Sequence, residues 1–131
     1  MKILIAEDDY ASRRYINKLL SKYGHCDLTL DGMETLDAFM IALDEEKPYD
    51  LICLDIMMPK VDGTHALKAI REIEKQRGIE DEKRVKVIMT TALNDIDVVK
   101  KSFDFGCEAY AAKPINEEKL IEVMLKLDLI K

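Results

Sequence analysis

The chain has 131 residues, a formal net charge of −6 and three cysteines. This length suits one domain with its own hydrophobic core, so we expect a single unit over residues 1–131 with no output domain. The negative charge without a basic patch argues against nucleic-acid binding, and the isolated Cys26, Cys53 and Cys107 predict reduced thiols, because they lack the paired spacing of zinc or redox sites.

The first apolar run, Ile3–Ala6, is followed at once by Glu7, so the N-terminus is too short to hold a signal-peptide core. No later apolar stretch approaches the length that spans a bilayer. We therefore expect a cytoplasmic protein without membrane contact.

Short apolar or β-branched runs then alternate with longer segments of helical period. This pattern is typical of a parallel sheet covered by helices on both faces. We predict an α/β fold, a doubly wound five-stranded parallel sheet built as a (βα)5 chain. The predicted strands are Ile3–Ala6, Cys26–Leu30, Leu51–Leu54, Val85–Met89 and Ala109–Ala112.

Apolar residues recur at helical spacing after each strand and predict five amphipathic helices. The predicted stripes are Ala11, Tyr15, Leu19 and Tyr23, stopped by Gly24; Met33, Leu36, Met40 and Leu43, ended before Pro48; Ala66, Leu67, Ile70 and Ile73; Ile96, Val99 and Phe103, with Gly106 beyond; and Leu120, Met124 and Leu127, capped by Asn116 and running almost to Lys131. We interpret the charged segment 76–84 as a solvated loop, with docking of a partner as the alternative.

Polar residues cluster where the predicted strands end. Asp55 closes a buried apolar run, an unusual place for a charge, because an unpaired buried ion is costly. The carboxyl ends of parallel strands meet at one edge of a sheet, which would also collect Glu7, Asp8, Asp9, Thr90, Thr91 and Lys113. Oxygen ligands without His or Cys favour Mg2+. A lysine and a threonine hydroxyl suit a phosphoryl group, and a carboxylate can form an aspartyl phosphate.

Four motifs at these positions resemble the response-regulator receiver domain of two-component signalling over essentially the whole chain. They are Ile5-Ala6-Glu7-Asp8, Asp55-Ile56-Met57-Met58-Pro59 with Asp62-Gly63, Met89-Thr90-Thr91-Ala92, and Tyr110-Ala111-Ala112-Lys113-Pro114. The resemblance implies a flavodoxin-like strand order of 2-1-3-4-5 and a stand-alone receiver of the chemotaxis or phosphorelay type. It also raises the expectation of a cis bond before Pro114.

The resemblance implies roles for individual residues. Asp55 would be the phosphoacceptor, and Lys113 would hold a phosphoryl oxygen. Thr91 would be the switch hydroxyl and Tyr110 the aromatic switch. Mg2+ would be bound by Glu7 (through water), Asp8, Asp55 and the backbone carbonyl of Met57. Asp9 falls one position past the acidic pair, and we interpret it as a helix cap or a solvated acid.

The implied activity is that of a phosphoacceptor switch, not an enzyme. A sensor histidine kinase or a histidine phosphotransfer protein would donate the phosphoryl group. The surface of the fourth helix, fifth strand and fifth helix would then change shape for a downstream protein, and the receiver would be a monomer or weak dimer. Because Met57 and Leu93 are apolar and cannot orient an attacking water, we expect a persistent phosphorylated state.

Two other classes of function stay open. A Mg2+-dependent phosphohydrolase using an aspartyl phosphate shares this residue inventory, although its nucleophile follows the first strand as D-x-D. A pseudo-receiver would bind a partner constitutively, although such modules usually lose an acid, the phosphoacceptor or the lysine, and all are present here. We expect His25 and His65 to be surface residues without a partner acid at useful spacing and without a phosphotransfer role.

Overall fold

The computed structural model describes residues 1–92 and 96–131. Five parallel strands form one sheet in the order β2-β1-β3-β4-β5, which confirms the predicted fold class and strand order. The elements in chain order are β1 (Lys2–Ala6), α1 (Tyr10–Leu20), β2 (His25–Thr29), α2 (Gly32–Asp44), β3 (Leu51–Asp55), α3 (Gly63–Gln76), a 3-10 turn (Asp81–Lys83), β4 (Lys86–Thr91), α4 (Ile96–Asp104), β5 (Ala109–Ala112) and α5 (Glu117–Lys126).

The sheet separates two apolar layers. Alternate side chains of the central strands point to opposite faces, as the pleat requires. Leu4, Ile52 and Val87 lie in the layer shared with α2 and α3, whereas Ile5 and Cys53 lie in the layer shared with α1 and α5. The central strands are therefore buried on both sides, which explains their nearly continuous apolar sequence.

The predicted strands differ from the observed ones mainly at their ends. β2 lies one residue earlier than predicted, at His25–Thr29, and β4 continues through Thr91 instead of ending at Met89. β4 continues because its last two residues pair with β5, Thr90 opposite Ala111 and Thr91 opposite Ala112. Both threonines are thus held by the sheet at its carboxyl edge.

Several predicted helix faces were wrong in part, although Leu19 is buried and Leu36 and Leu43 pack against the core. The buried residues are Ile16, Leu19 and Leu20 on α1, and Gly32, Thr35, Phe39 and Ala42 on α2. Tyr15, Met33 and Phe103 are exposed, and Ile96 is 79% exposed. The stripe on α3 is largely confirmed, with Ala66, Leu67 and Ile70 fully buried. A stripe does not identify the buried face where both sides of a helix carry apolar residues, because the neighbouring elements decide it.

Two helix ends also differ from prediction. α1 ends at Leu20, before Gly24, and α5 ends at Lys126 rather than near Lys131. Segment 76–84 contains the short 3-10 turn and is mostly exposed. Within the described ranges, every helix is too short or too polar to cross a membrane.

Candidate functional site

Three carboxylates meet at the carboxyl edge of the sheet. Glu7 and Asp8 directly follow β1, and Asp55 ends the neighbouring strand β3, whose Leu54 is paired with Ala6. One carboxylate oxygen of each acid lies within 4.8 Å of those of the other two. Glu7 and Asp55 are only 1% and 3% exposed, whereas Asp8 is exposed. The sequence prediction that these acids converge is confirmed.

Lys113 brings a cation to the same place from the other side of β4. Its backbone N–H donates to the carbonyl of Thr91 over 2.8 Å, which fixes the residue just beyond β5. Its ammonium contacts Glu7 Oε1 and lies 3.3 Å from Asp55 Oδ2. Only a long side chain can reach Asp55 from β5, because β4 lies between the two strands.

The charges of the cluster are strongly coupled. Burial and the neighbouring Glu7 carboxylate raise the pKa of Asp55 to about 7, although Lys113 opposes the rise. Burial lowers the pKa of Lys113, but its contacts with Glu7 and Asp55 outweigh burial and raise that pKa above its ordinary value. The cluster holds more negative than positive charge in a low-dielectric setting, so it favours an added cation.

The acidic pair is held in place from α1. Asp9 caps this helix by accepting a hydrogen bond from the Ser12 N–H over 2.9 Å, which confirms the cap interpretation. The Arg13 guanidinium donates to the backbone carbonyls of Glu7 and Asp8 over 3.1 and 3.3 Å. Sequence reasoning missed Arg13, because an arginine in the first turns of a helix carries no signal for contacts with the preceding loop.

The segment after β3 passes next to the phosphoacceptor candidate. The Met57 N–H lies 3.3 Å from Asp55 Oδ1, and Met57 is 59% exposed. The Gly63 N–H donates to the Ile56 carbonyl, which closes the loop. A Cβ on Gly63 would lie 2.2 Å from the Asp55 carbonyl oxygen, so any other residue there would displace the end of β3.

The residues fit a hard divalent cation. The donors are oxygen atoms alone, two of the three carboxylates are buried, and they converge at one point. Among the described residues, Glu7 Oε1 is the one buried side-chain oxygen without a partner of regular hydrogen-bond geometry, and its contact is with the Lys113 ammonium. This donor set suits Mg2+, which keeps several waters and needs few protein ligands.

The two switch candidates lie on adjacent strands. Thr91 is fully buried at the end of β4. Tyr110 is opposite Met89 in β5 and is 36% exposed. The Lys113-Pro114 peptide bond is cis, as the resemblance implied. Leu93, predicted to tune the lifetime of the phosphorylated state, lies outside the described residues.

The prediction that both histidines lie at the surface is confirmed, but the prediction that they lack partner acids was wrong. His25 Nε2 is 2.9 Å from Asp27 Oδ1, and His65 Nδ1 is 3.0 Å from Asp62 Oδ2. Both rings are exposed, and both partners lie two or three residues away in sequence. The three thiols remain free, and burial raises the pKa of Cys53 to about 12, which makes it unreactive.

Comparisons with known proteins agree with this geometry. The family model described as "Response regulator receiver domain" matches residues 3–125. Hybrid signal transduction histidine kinase I of Dictyostelium discoideum is 36% identical over 94% of this chain, but the chain spans only 7% of that protein. The chain also spans just 12% of each of two matching relatives, both called probable histidine kinase 2, from the indica and japonica subspecies of Oryza sativa.

Solved structures give the same result. A chain in the crystal structure of the CheX-CheY-BeF3-Mg2+ complex from Borrelia burgdorferi aligns with a TM-score of 0.83 and 25% identity, covering 100% of this chain and 90% of that one. A chain in the co-crystal structure of the Saccharomyces cerevisiae histidine phosphotransfer protein Ypd1 with the Ssk1 receiver domain aligns with a TM-score of 0.79 and 27% identity, covering 95% of this chain and 86% of that one.

Proposed function

Because the chain belongs to the response regulator receiver domain family, we propose that it accepts a phosphoryl group on Asp55 and thereby switches a protein-binding surface. Receiver domains are phosphoacceptor switches of two-component signalling. The observation that carries the residue assignment is the burial of Asp55 beside Glu7, Asp8 and the Lys113 ammonium at one sheet edge.

In the proposed transfer, a carboxylate oxygen of Asp55 forms a bond to phosphorus. The bond from phosphorus to the donor nitrogen or oxygen breaks at the same time, and its electron pair leaves with the donor. Lys113 lies 3.3 Å from Asp55 Oδ2 and would neutralise a phosphoryl oxygen as it arrives. The Thr91 hydroxyl would donate a hydrogen bond to another of those oxygens.

We propose that Glu7, Asp8, Asp55 and the Met57 carbonyl hold Mg2+, with Glu7 acting through water. When bound, Mg2+ supplies the positive charge that keeps Asp55 ionised and neutralises the phosphoryl oxygens. The need for that charge follows from the pKa of Asp55, which is raised to about 7 by burial and by Glu7.

The phosphodonor is proposed to be a sensor histidine kinase or a histidine phosphotransfer protein. α1 supports this role, because it carries exposed Arg14 and Lys18, contains no acidic residue, and begins beside the acidic site. A shallow groove of about 210 Å³ lies beside it, lined partly by Tyr15 and Pro114. A donor surface with acidic and apolar side chains would complement this region.

The output surface is proposed to comprise α4, β5 and α5. Two or three charge-assisted hydrogen bonds to the phosphoryl group, at about 1.5–3 kcal/mol each, would supply the 5.5 kcal/mol or so that moves a two-state equilibrium from 1:99 to 99:1. A movement of the Tyr110 side chain would change the shape of this surface, since Tyr110 lines a groove of about 440 Å³ between β5 and α5 with Lys119, Val123 and Lys126. A downstream protein would bind there.

The cellular setting also remains a proposal. We propose a cytoplasmic receiver that works as a monomer or weak dimer and makes no contact with nucleic acid or membrane. The persistent phosphorylated state expected from the exposed, apolar Met57 side chain belongs to the same proposal.

The first experiment is incubation with Mg2+ and acetyl phosphate, followed by intact-mass measurement of the wild type and of Asp55→Ala. We expect one phosphoryl group on the wild type and none on the variant. Asp8→Asn should lose most of the modification, whereas Asp81→Asn, at a 91% exposed side chain, should keep it. A wild type that binds Mg2+ but stays unmodified by acetyl phosphate and by histidine kinases would instead be a constitutive pseudo-receiver. Continuous release of phosphate at enzymatic rates would indicate a phosphohydrolase.

A further inference from the structure

The loop between β3 and α3 is held from outside by the beginning of α2. Gly32, the first residue of α2, lies so close to this loop that a Cβ built on it would be 2.1 Å from the Val61 carbonyl oxygen and 2.6 Å from Val61 Cβ. Real Cβ atoms essentially never approach other atoms this closely. The backbone of α2 therefore touches the backbone of the loop directly, and this contact requires glycine.

A second contact joins the same two segments. Asp31 caps α2 by accepting from the Glu34 N–H over 2.9 Å, and its other carboxylate oxygen lies 3.5 Å from the Lys60 ammonium. Asp31 is buried and is fixed further by its carbonyl, which accepts a hydrogen bond from the Thr35 hydroxyl over 2.8 Å. Asp31 is therefore the buried, fixed member of the ion pair, and Lys60 is the exposed member.

The backbone of the loop is strained at the point where it is held. Lys60 has a φ of 66°, in the left-handed region that residues with a Cβ rarely occupy. Such conformations persist when surrounding contacts impose them. α2 contributes two of the contacts available here, the Lys60–Asp31 ion pair and the packing of Val61 on Gly32, beside the Gly63–Ile56 hydrogen bond that closes the loop. α2 therefore helps to impose the shape of the loop.

We propose that Asp31 and Gly32 are positioning residues for the metal site. The loop they hold carries Met57, whose N–H lies 3.3 Å from Asp55 Oδ1 and whose carbonyl is a proposed Mg2+ ligand. The inference rests on the proposed function in that one respect. By holding Lys60 and Val61, the start of α2 keeps the Met57 carbonyl in place before the metal arrives, so Mg2+ binding does not have to order the loop.

The test is the Mg2+ affinity of purified Gly32→Ala, measured by calorimetric titration. We expect binding at least ten-fold weaker than in the wild type, with phosphorylation by acetyl phosphate impaired at low Mg2+ and restored when Mg2+ is saturating. Gly24→Ala is the matched control, because its Cβ would lie 2.0 Å from the Met1 carbonyl oxygen, at the opposite edge of the sheet. This control should bind Mg2+ within two-fold of the wild type.

A second pair of variants covers the case in which Gly32→Ala does not fold. Asp31→Asn and Lys60→Gln both break the ion pair but change the local charge in opposite directions. Positioning predicts two- to five-fold weaker Mg2+ binding in both variants, whereas a purely electrostatic effect would tighten binding in Lys60→Gln, because a nearby positive charge is removed.

The outcomes separate the two proposals. Wild-type Mg2+ binding with an unchanged affinity in Gly32→Ala would overturn the positioning role alone. The same holds for opposite effects of Asp31→Asn and Lys60→Gln. A wild type that binds no Mg2+ would overturn the proposed function and the positioning role with it.

Discussion

Replacing Asp55 with asparagine is expected to stabilise the metal-free protein. Asparagine is nearly isosteric but cannot ionise, so it removes the repulsion between two buried carboxylates. The pKa of Asp55 is about 7 in the folded chain, against about 3.9 in an unfolded chain. At about 1.4 kcal/mol for each factor of ten, this difference sets a ceiling of about 4 kcal/mol on the penalty of ionising Asp55 on folding. We expect the variant to gain on the order of 2–4 kcal/mol at pH 8.

The stability that Asp55→Asn gains over the wild type should increase as the pH rises. Below pH 3.9 or so, Asp55 is protonated in both the folded and the unfolded chain, so ionisation contributes no difference. Between that pH and about 7, the unfolded chain loses its proton first, so the wild type becomes less stable than the variant as pH rises. Above pH 7 the difference should be constant.

Denaturant unfolding of the wild type and Asp55→Asn from pH 4 to pH 8 in EDTA measures this difference. Asp81→Asn, which removes one exposed carboxylate, should stay within about 0.5 kcal/mol of the wild type. Adding Mg2+ at 100 times its dissociation constant should raise the unfolding free energy of the wild type by about 2.7 kcal/mol and so reduce the stability difference between the two proteins. The reasoning would be refuted if Asp55→Asn were no more stable than the wild type at pH 8 in EDTA, or if the gap were the same at pH 4.

Three further predictions concern other parts of the chain. Lys113→Met leaves Glu7 and Asp55 without their cation, so the metal-free protein should lose on the order of 1–3 kcal/mol of unfolding free energy at pH 8. Acetyl phosphate should also phosphorylate this variant at least ten-fold more slowly than the wild type. If both the stability and the rate were unchanged, the proposed role of Lys113 would be contradicted. Met57→Asn should accelerate loss of the phosphoryl group, because an exposed amide could orient water; an unchanged decay of the phosphorylated mass would contradict this account of the lifetime. Arg71→Leu should lower the free energy of unfolding by about 3–5 kcal/mol, because it leaves the buried Glu74 carboxylate, which accepts a hydrogen bond from Arg71 over 2.6 Å, without its cation. A loss below 1 kcal/mol in denaturant unfolding would contradict this prediction.

The cluster of acids and a lysine at the carboxyl edge of the sheet could be predicted from the sequence because it depends on strand ends. An apolar run that ends in an acid or lysine places that residue at the edge wherever the strand lies in the sheet, so Glu7, Asp55 and Lys113 were identified without knowledge of packing. The cap at Asp9 was also predictable, since its hydrogen bond spans only three residues.

Predictions that depended on which face of a helix is covered were less successful. α2 carries apolar residues on more than one side, and its buried face centres on Phe39 rather than on Met33. α4 buries Ser102 while its Ile96 is exposed. The partner acids of His25 and His65 were missed for a related reason, because side-chain direction in a strand or a cap depends on the observed backbone.

By itself, the sequence determined the alternation of strands and helices, the acids and lysine at the strand ends, and the motifs of the family. Each of these features depends on residues that lie close together along the chain. Only the tertiary structure decided the pKa of Asp55, the contact of Gly32 with Val61, and the partly buried pairing of Arg71 with Glu108 over 2.9 Å. Each of these arises between segments distant in sequence, and its strength depends on distances and burial that exist only when the sheet and helices have packed.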